Sequence, residues 1–345
     1  MISRLLGLFS SDMAIDLGTA NTLVYARGRG VVLNEPSVVA VADEKGKSRI
    51  LAVGEQAKRM IGRTHGNIRA VRPMRGGVIA DFAVAGELIK HLIREIHNRG
   101  RFTSPRVVVT VPSGSTAVER RSVREAAEAA GARRVYLIEE AIASAIGAGL
   151  PVTEARGSMI VDIGGGTTEV AVLSLGSIVS ARSVNVGGRV MDEAIVACVR
   201  RAHNVLIGDA NAEEIKHEIG AAKAPSQGEG RSHEVRGRDL MSGVPCALTV
   251  SERQIASSLA EPVGTVIETV KTVLERTAPE LAADIVDTGI ALTGGGALLA
   301  RMADVLEEAT GLPVAVPEEP LLCGVKGAGR ALDEMRRLKS VVVGT

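Results

Sequence analysis

The sequence predicts an α/β protein built as two similar halves that face each other across a ligand cleft. Three glycine turns predict it. Residues 158–172 run from an apolar stretch through Asp162, past Gly164, Gly165 and Gly166, then Thr167 and Thr168, into a second β-type stretch. That order is strand, tight turn, strand. Residues 13–26 repeat it in outline: Asp16 matches Asp162, Gly18 matches Gly164, Asn21 matches Thr167 and Thr22 matches Thr168. The third turn, Gly294, Gly295 and Gly296, follows the apolar run 289–293 and leads into a helix, with Ala297 next in line. A lone glycine turn often serves only to join two strands. Two copies about 146 residues apart point instead to a duplicated architecture that grips a ligand from both sides.

The chemistry of the turns suggests the ligand. Glycines let backbone N–H groups approach an anion with no Cβ in the way. An aspartate at the end of a buried strand suits a hydrated cation, and the threonine hydroxyls add donors. Together they suit a Mg-bound phosphate chain. Composition limits the alternatives. At 345 residues the chain is long enough for two well-filled cores. Apolar residues make up 46% and aromatics only 1%, so Val, Ile, Leu and Ala must fill them. A net charge of +1 argues against non-specific nucleic-acid binding as the main activity. Cys198, Cys246 and Cys323 form no CxxC and read as buried or idle thiols in a reducing compartment. No apolar run approaches a membrane span and no secretory leader is present, so the chain is expected to be cytoplasmic.

The elements follow in order. Ile2, Leu5, Leu6 and Phe9 fall at i, i+3, i+4 and i+7, which as a helix makes an amphipathic membrane anchor over residues 1–12. Burying each large side chain contributes about 1.5–3 kcal/mol at most, so one copy binds weakly and a polymer binds well through avidity. A frayed end or a piece packed on the body fits the same pattern. Residues 13–150 make the first domain. Its insertion at about 31–78 holds a strand at 36–42, a short helix at 54–60 and a returning loop at 72–77. A helix at 82–98, a buried strand closed by Pro112 and a helix at 116–130 follow, the last ending at Gly131. The face of that helix carrying Val118, Arg121, Glu125 and Glu128 is expected to be exposed. A strand at 135–138 then meets Glu139 and Glu140 and a small-residue helix at 141–148. Two acids there are often only helix N-terminal charges; beside a phosphate cleft, one can orient or deprotonate an attacking water.

Residues 151–345 make the second domain, with an insertion at about 183–249. Gly187-Gly188 precedes a helix at 190–204. Glu213 and Lys216 share one face of the next helix and read as a surface ion pair. A hairpin at 235–250 leads to one long helix at 251–276, with Ser251 as N-cap and Gln254 at N3 of a capping box. The last long helix opens at Cys323 on small residues, and the tail from 340 is short.

The wording of the motifs is more specific than their order. Asp16-Leu17-Gly18-Thr19-Ala20-Asn21-Thr22, residues 162–172 and residues 292–299 resemble the MreB family of bacterial actins, within the actin/Hsp70/sugar-kinase superfamily. So do Val111-Pro112-Ser113-Gly114, residues 145–151 and Ala260-Glu261-Pro262-Val263-Gly264. The likeness runs over nearly the whole chain. It implies an actin-like, duplicated RNase H-like ATPase fold, with four subdomains around a nucleotide cleft that takes ATP and Mg2+. By the resemblance, Thr19, Ala20 and Asn21 line the first phosphate loop, and Gly164, Gly165, Gly166 and Thr167 the second. Asp16 and Asp162 hold waters around Mg2+, and Glu140 with Thr167 positions the attacking water. Glu213 and Lys216 reach the adenosine, and Gly294, Gly295, Gly296 and Ala297 pack against the nucleotide.

The resemblance further implies antiparallel double filaments on the inner face of the cytoplasmic membrane, with the helix of Val118 between protofilaments. Slow ATP hydrolysis would be coupled to filament state, in the service of cell-wall synthesis and rod shape. MreC, MreD and RodZ are the expected membrane partners, and no nucleic acid is expected. Two departures concern hydrolysis more than binding: Ala141 stands where the family usually has proline, and Arg189 where it usually has an acid. A small-molecule kinase on the same fold lacks a candidate substrate pocket and has no use for the apolar N-terminal stripe. An Hsp70-like ATPase would be expected to carry a peptide-binding domain after residue 345.

Overall fold

The computed structural model describes residues 12–44, 47–64, 66–76, 78–96 and 104–344, so the stripe of Ile2, Leu5, Leu6 and Phe9 lies outside the described residues. The first half opens with β1 (Met13–Leu17), β2 (Asn21–Ala26) and β3 (Gly30–Pro36). A small sheet follows from β4 (Val39–Glu44), β5 (Lys47–Val53), α1 (Glu55–Lys58) and β6 (Ile68–Val71). The chain returns through β7 (Met74–Arg75) and β8 (Val78–Ile79) to α2 (Phe82–Ile96), β9 (Arg106–Val111), α3 (Ala117–Ala129), β10 (Arg134–Glu139) and α4 (Glu140–Gly147). The second half holds β11 (Ser158–Ile163), β12 (Thr168–Ser174), β13 (Ser177–Val184), α5 (Gly188–His203), β14 (Val205–Leu206) and α6 (Asp209–Ile219). It continues through β15 (Ser232–Asp239), β16 (Pro245–Ser251), α7 (Glu252–Ser258), α8 (Ala260–Glu275), α9 (Pro279–Thr288) and β17 (Ile290–Thr293). After it come α10 (Met302–Thr310), β18 (Val314–Ala315), α11 (Cys323–Asp333) and β19 (Val343–Gly344).

The duplication is visible in the pairing. β1 runs antiparallel to β2 and parallel to β9, with Met13 opposite Val107. β11 runs antiparallel to β12 and parallel to β17, with Met159 opposite Ile290. Each half therefore has a hairpin inside a larger sheet, β19-β10-β9-β1-β2-β3 in one and β13-β12-β11-β17-β18 in the other. The central strands read as continuous Val/Ile runs because both faces are covered. On one face of the first sheet α2 lays down Leu88, Ile89, Leu92 and Ile93 at helical spacing.

Between the two sheets lie α4 and α11. One apolar cluster joins Ala14, Val108 and Ile138 of the first sheet to Ile160, Ala171 and Leu173 of the second through Ile142 and Ile146 of α4 and Leu332 of α11. The two helices cross so closely that a Cβ on Gly327 would overlap the Ala143 carbonyl, and one on Gly147 the Cys323 carbonyl. Small residues are what this crossing requires.

The structure departs from the sequence reading at several elements. β3 falls largely inside the stretch assigned to the first insertion, yet it pairs with β2 as the edge of the large sheet. The terminal helix, assigned to the second domain, packs on β1, β2 and β9, and the short tail adds β19 to β10. The expected long helix at 251–276 is two helices meeting at Leu259, because Pro262 belongs in a first turn, where no N–H is needed. The Ser251 cap forms, its hydroxyl accepting from the Gln254 N–H at 3.2 Å. The reciprocal half of the box does not, since the Gln254 amide bonds His203 instead. After the third glycine turn the expected helix start is a single 3-10 turn, Gly295–Leu298.

Candidate functional site

A cavity of about 650 Å³ opens between the two halves. Its floor is made by the twin hairpins. Asp16 sits one residue before the end of β1 and Asp162 one before the end of β11, so both carboxylates reach the cavity from buried strands. Thr110 donates its hydroxyl to Asp16 Oδ1 at 2.7 Å, and Ser144 of α4 donates to Asp162. Burial and the charge of Asp162 push Asp16 up to about 6, against the Thr110 bond. Burial also raises Asp162. Glu140, at the first position of α4, is raised well above the carboxylate range by burial, then by the charges of Glu169, Asp16 and Asp162.

These carboxylates repel one another in a confined space, and that repulsion is relieved when a cation enters. Among the described residues no group of three or more His, Cys, Asp or Glu side chains is arranged to hold a metal directly. Two carboxylates on one wall of the cavity would suit a hydrated divalent cation, with Asp16 and Asp162 placed to accept hydrogen bonds from its waters.

The glycine turns meet across the cleft. A Cβ on Gly165 would overlap Ala20, and one on Gly166 would press on the Thr19 side chain. The two turns are thus in contact, and only hydrogen fits at that point. Gly294, at φ 79°, holds the third turn against Asp162 and Ile163, where a Cβ would collide. The first N–H groups of α5 are spent on the second turn, Gly188 N–H to Gly164 O at 3.0 Å and Arg189 N–H to Gly165 O at 2.8 Å.

Most of the expected site residues line this one cavity: Asp16, Thr19, Ala20, Asn21, Glu140, Asp162, Gly164, Gly165, Thr167, Glu213, Lys216, Gly294, Gly295 and Gly296. Two do not. Gly166 is turned against Thr19, and Ala297 is buried in the core of the second half. Val118 lies elsewhere, 70% exposed on α3 behind a complete Thr116–Glu119 capping box. The Glu213–Lys216 ion pair is not formed. Lys216 turns to Asp192 of α5 at 2.7 Å and the Gly188 carbonyl at 2.9 Å. Glu213 instead accepts from Lys58 of α1, on the opposite lip of the cleft, at 2.6 Å. Burial works to raise Glu213, but the Lys58 bond and charge prevail and hold it below its ordinary value. Lys58, Asp192, Thr110 and Ser144 escaped the sequence reading because tertiary approach, not spacing, brings them here.

Residues 10–340 match the family model described as MreB/Mbl protein. The chain belongs to the MreB/Mbl family. It is 54% identical over 336 residues to the cell shape-determining protein MreB of Escherichia coli K12, covering 96% of each chain. MreB5 of Spiroplasma citri, solved bound to AMPPNP, is 36% identical with a TM-score of 0.87 over 94% of this chain and 96% of that one. MamK, solved as a double helical filament, is 20% identical with a TM-score of 0.78 over 94% and 99%, a likeness of fold alone. The fold is actin-like.

Proposed function

We propose that the chain is a nucleotide-driven, actin-like cytoskeletal protein that binds Mg-ATP in the cleft and polymerises on the inner face of the cytoplasmic membrane to direct cell shape. The observation that carries this reading is the pair of aspartate-glycine hairpins meeting face to face beneath one cavity. The nucleotide bound to MreB5 supports it by likeness. When bound, Mg-ATP supplies the γ-phosphate that water attacks. The protein does the rest by position. Asp16 and Asp162, oriented by Thr110 and Ser144, would hold the hydrated ion through its waters. Backbone N–H groups of the turns would hold the phosphates. Glu140 and Thr167 hold the attacking water, and Glu140 takes its proton on a carboxylate oxygen. Glu213 and Lys216 face the adenosine.

Hydrolysis in this scheme is ancillary to assembly: it sets the state of antiparallel double filaments, with the Val118 face between strands. Residues 1–12 would anchor each copy to lipid, and membrane proteins of the MreC, MreD and RodZ type would link the polymer to cell-wall synthesis. Sedimentation of the purified protein with liposomes, with and without Mg-ATP, tests the core claim. Nucleotide-dependent polymer in the pellet is expected; none under any nucleotide would remove the filament reading.

A further inference from the structure

The walls of the cleft carry arginines that the chemistry on its floor does not use. Arg72, just past the end of β6, and Arg75, the last residue of β7, line the cavity from the first half. Arg189, in the first turn of α5, lines it from the second half. The two sides approach closely. A Cβ on Gly76, next after Arg75, would come within 3.1 Å of Oδ1 of Asn185, which opens the link from β13 to α5. Arg189 itself starts at the second glycine turn, its N–H held by the Gly165 carbonyl at 2.8 Å.

These guanidinium groups lack partners. The Arg72 and Arg75 side chains make no hydrogen bond or ion pair among the described residues. Arg189 Nε is buried with nothing to bond, and its Nη2 reaches only Glu193, at 3.9 Å, beyond hydrogen-bond length. Two wall acids that could neutralise the arginines are committed elsewhere, Asp192 to Lys216 at 2.7 Å and Glu213 to Lys58 at 2.6 Å. An acid at position 189 would attract Arg72 and Arg75. Arg189 instead sets like charges against one another across the cleft. A buried donor on a charged group is costly to leave unpaired, and an oxyanion in the cavity would offset that cost.

We propose that Arg189, facing Arg72 and Arg75 across the cleft, forms with them a two-sided clamp that reads the terminal phosphate of a bound nucleoside triphosphate. The inference rests on the nucleotide reading above and deepens it, from a cleft that takes a phosphate chain to one that tells triphosphate from diphosphate. The backbone N–H groups of the turns are neutral donors that serve any phosphate of the chain. Guanidinium groups respond to charge and grip oxyanions through paired N–H donors, and the terminal phosphate adds a negative charge that the diphosphate lacks. With arginines on both walls, that added charge also draws the two halves together.

The test uses the full chain as a monomer with Mg2+ and reads the affinities of AMPPNP and ADP by displacement of a fluorescent ADP analogue. Arg189→Ala should lose about 10-fold or more in AMPPNP affinity, the worth of a hydrogen bond to a charged group, and about 2-fold at most for ADP. Arg72→Ala/Arg75→Ala should show the same selective loss, since the clamp needs both sides. Arg189→Lys, which keeps the charge without the fork, should keep part of the preference. Urea midpoints equal to the wild type show that the variants are folded. In folded variants, equal loss for both nucleotides, no loss for either, or a loss confined to one side of the cleft overturns the inference and leaves the nucleotide reading standing. A wild type that binds neither nucleotide removes both. Inorganic phosphate that tightens ADP through these arginines, with AMPPNP affinity unchanged in the variants, assigns the clamp to a free anion and overturns the inference.

Discussion

Glu140 shows at the scale of one residue what sequence can and cannot convey. Its place at the junction of β10 and α4 is legible, because an apolar run followed by two acids and a small-residue helix leaves little choice of geometry. Which of the two acids faces the cleft is not legible from spacing, and only the family resemblance names Glu140. The structure puts Glu140 on the cavity and commits Glu139 to Arg120 at 2.7 Å. Behind the cleft wall Glu169 is pushed up to about 7 by burial, against two hydrogen bonds from Ser113. Burial first, then its charge and those of Asp16 and Asp162, raise Glu140 well above the carboxylate range and make it readier to take a proton than an exposed carboxylate. Glu140→Ala should therefore keep nucleotide affinity and slow phosphate release by about 100-fold or more. Single-turnover release of phosphate from the bound nucleotide measures this, and an unchanged rate would exclude Glu140 from handling the water. The partners of Asp16 and Asp162 were invisible beforehand for a simple reason: Thr110 is 94 residues from Asp16, and nothing local selects it.

At the scale of elements, strands and caps with a local cause were readable and junctions with a distant cause were not. The box of Thr116 and Glu119 closes on itself within four residues, so the helix start it marks is where the sequence puts it. Ser251 looks equivalent, but its hydroxyl donates to Glu229 and the Gln254 amide is drawn to His203 on α5. The next residue, Glu252, carries the larger consequence. Its buried carboxylate accepts the Arg231 N–H and Nε at 3.1 Å each and also bonds Arg301, tying α7 to the loop before β15 and to the start of α10. The Arg301 bond is the main cause holding it at about 2, below its ordinary 4.5. A carboxylate depressed on folding stabilises fully above the unfolded value and loses that stability as pH falls through the folded one. Glu252→Gln should thus cost about 1–3 kcal/mol at pH 7, the worth of hydrogen bonds to a charged group. The gap between variant and wild type should shrink steadily from about pH 5 towards pH 2. Urea midpoints across that range measure it; a gap independent of pH would mean the charge of Glu252 contributes nothing.

For the whole molecule, duplication was the legible part, because two hairpins with the same residue order must fold alike. How the halves are joined was not. They meet at the α4–α11 crossing between the sheets, at the glycine turns beneath the cavity, at the Ser113–Glu169 bonds and at the lips of the cleft, where Lys58 bonds Glu213. The crossing is tight and apolar. The lip contact is an ion pair with each side chain about one-third exposed (34% and 33%), which places it among interactions of about 0.2–1 kcal/mol. That is too little to hold the cleft shut and enough to slow its opening. It also lies at the end of the cavity lined by Glu213 and Lys216. Lys58→Ala should accordingly speed release of a fluorescent ATP analogue from the monomer by about 1.5- to 5-fold. In the wild type, raising salt should speed release by screening the pair; in the variant it should change little. Stopped-flow displacement reads both effects. Equal release rates for the two proteins at every ionic strength would mean that the lip pair has no part in opening.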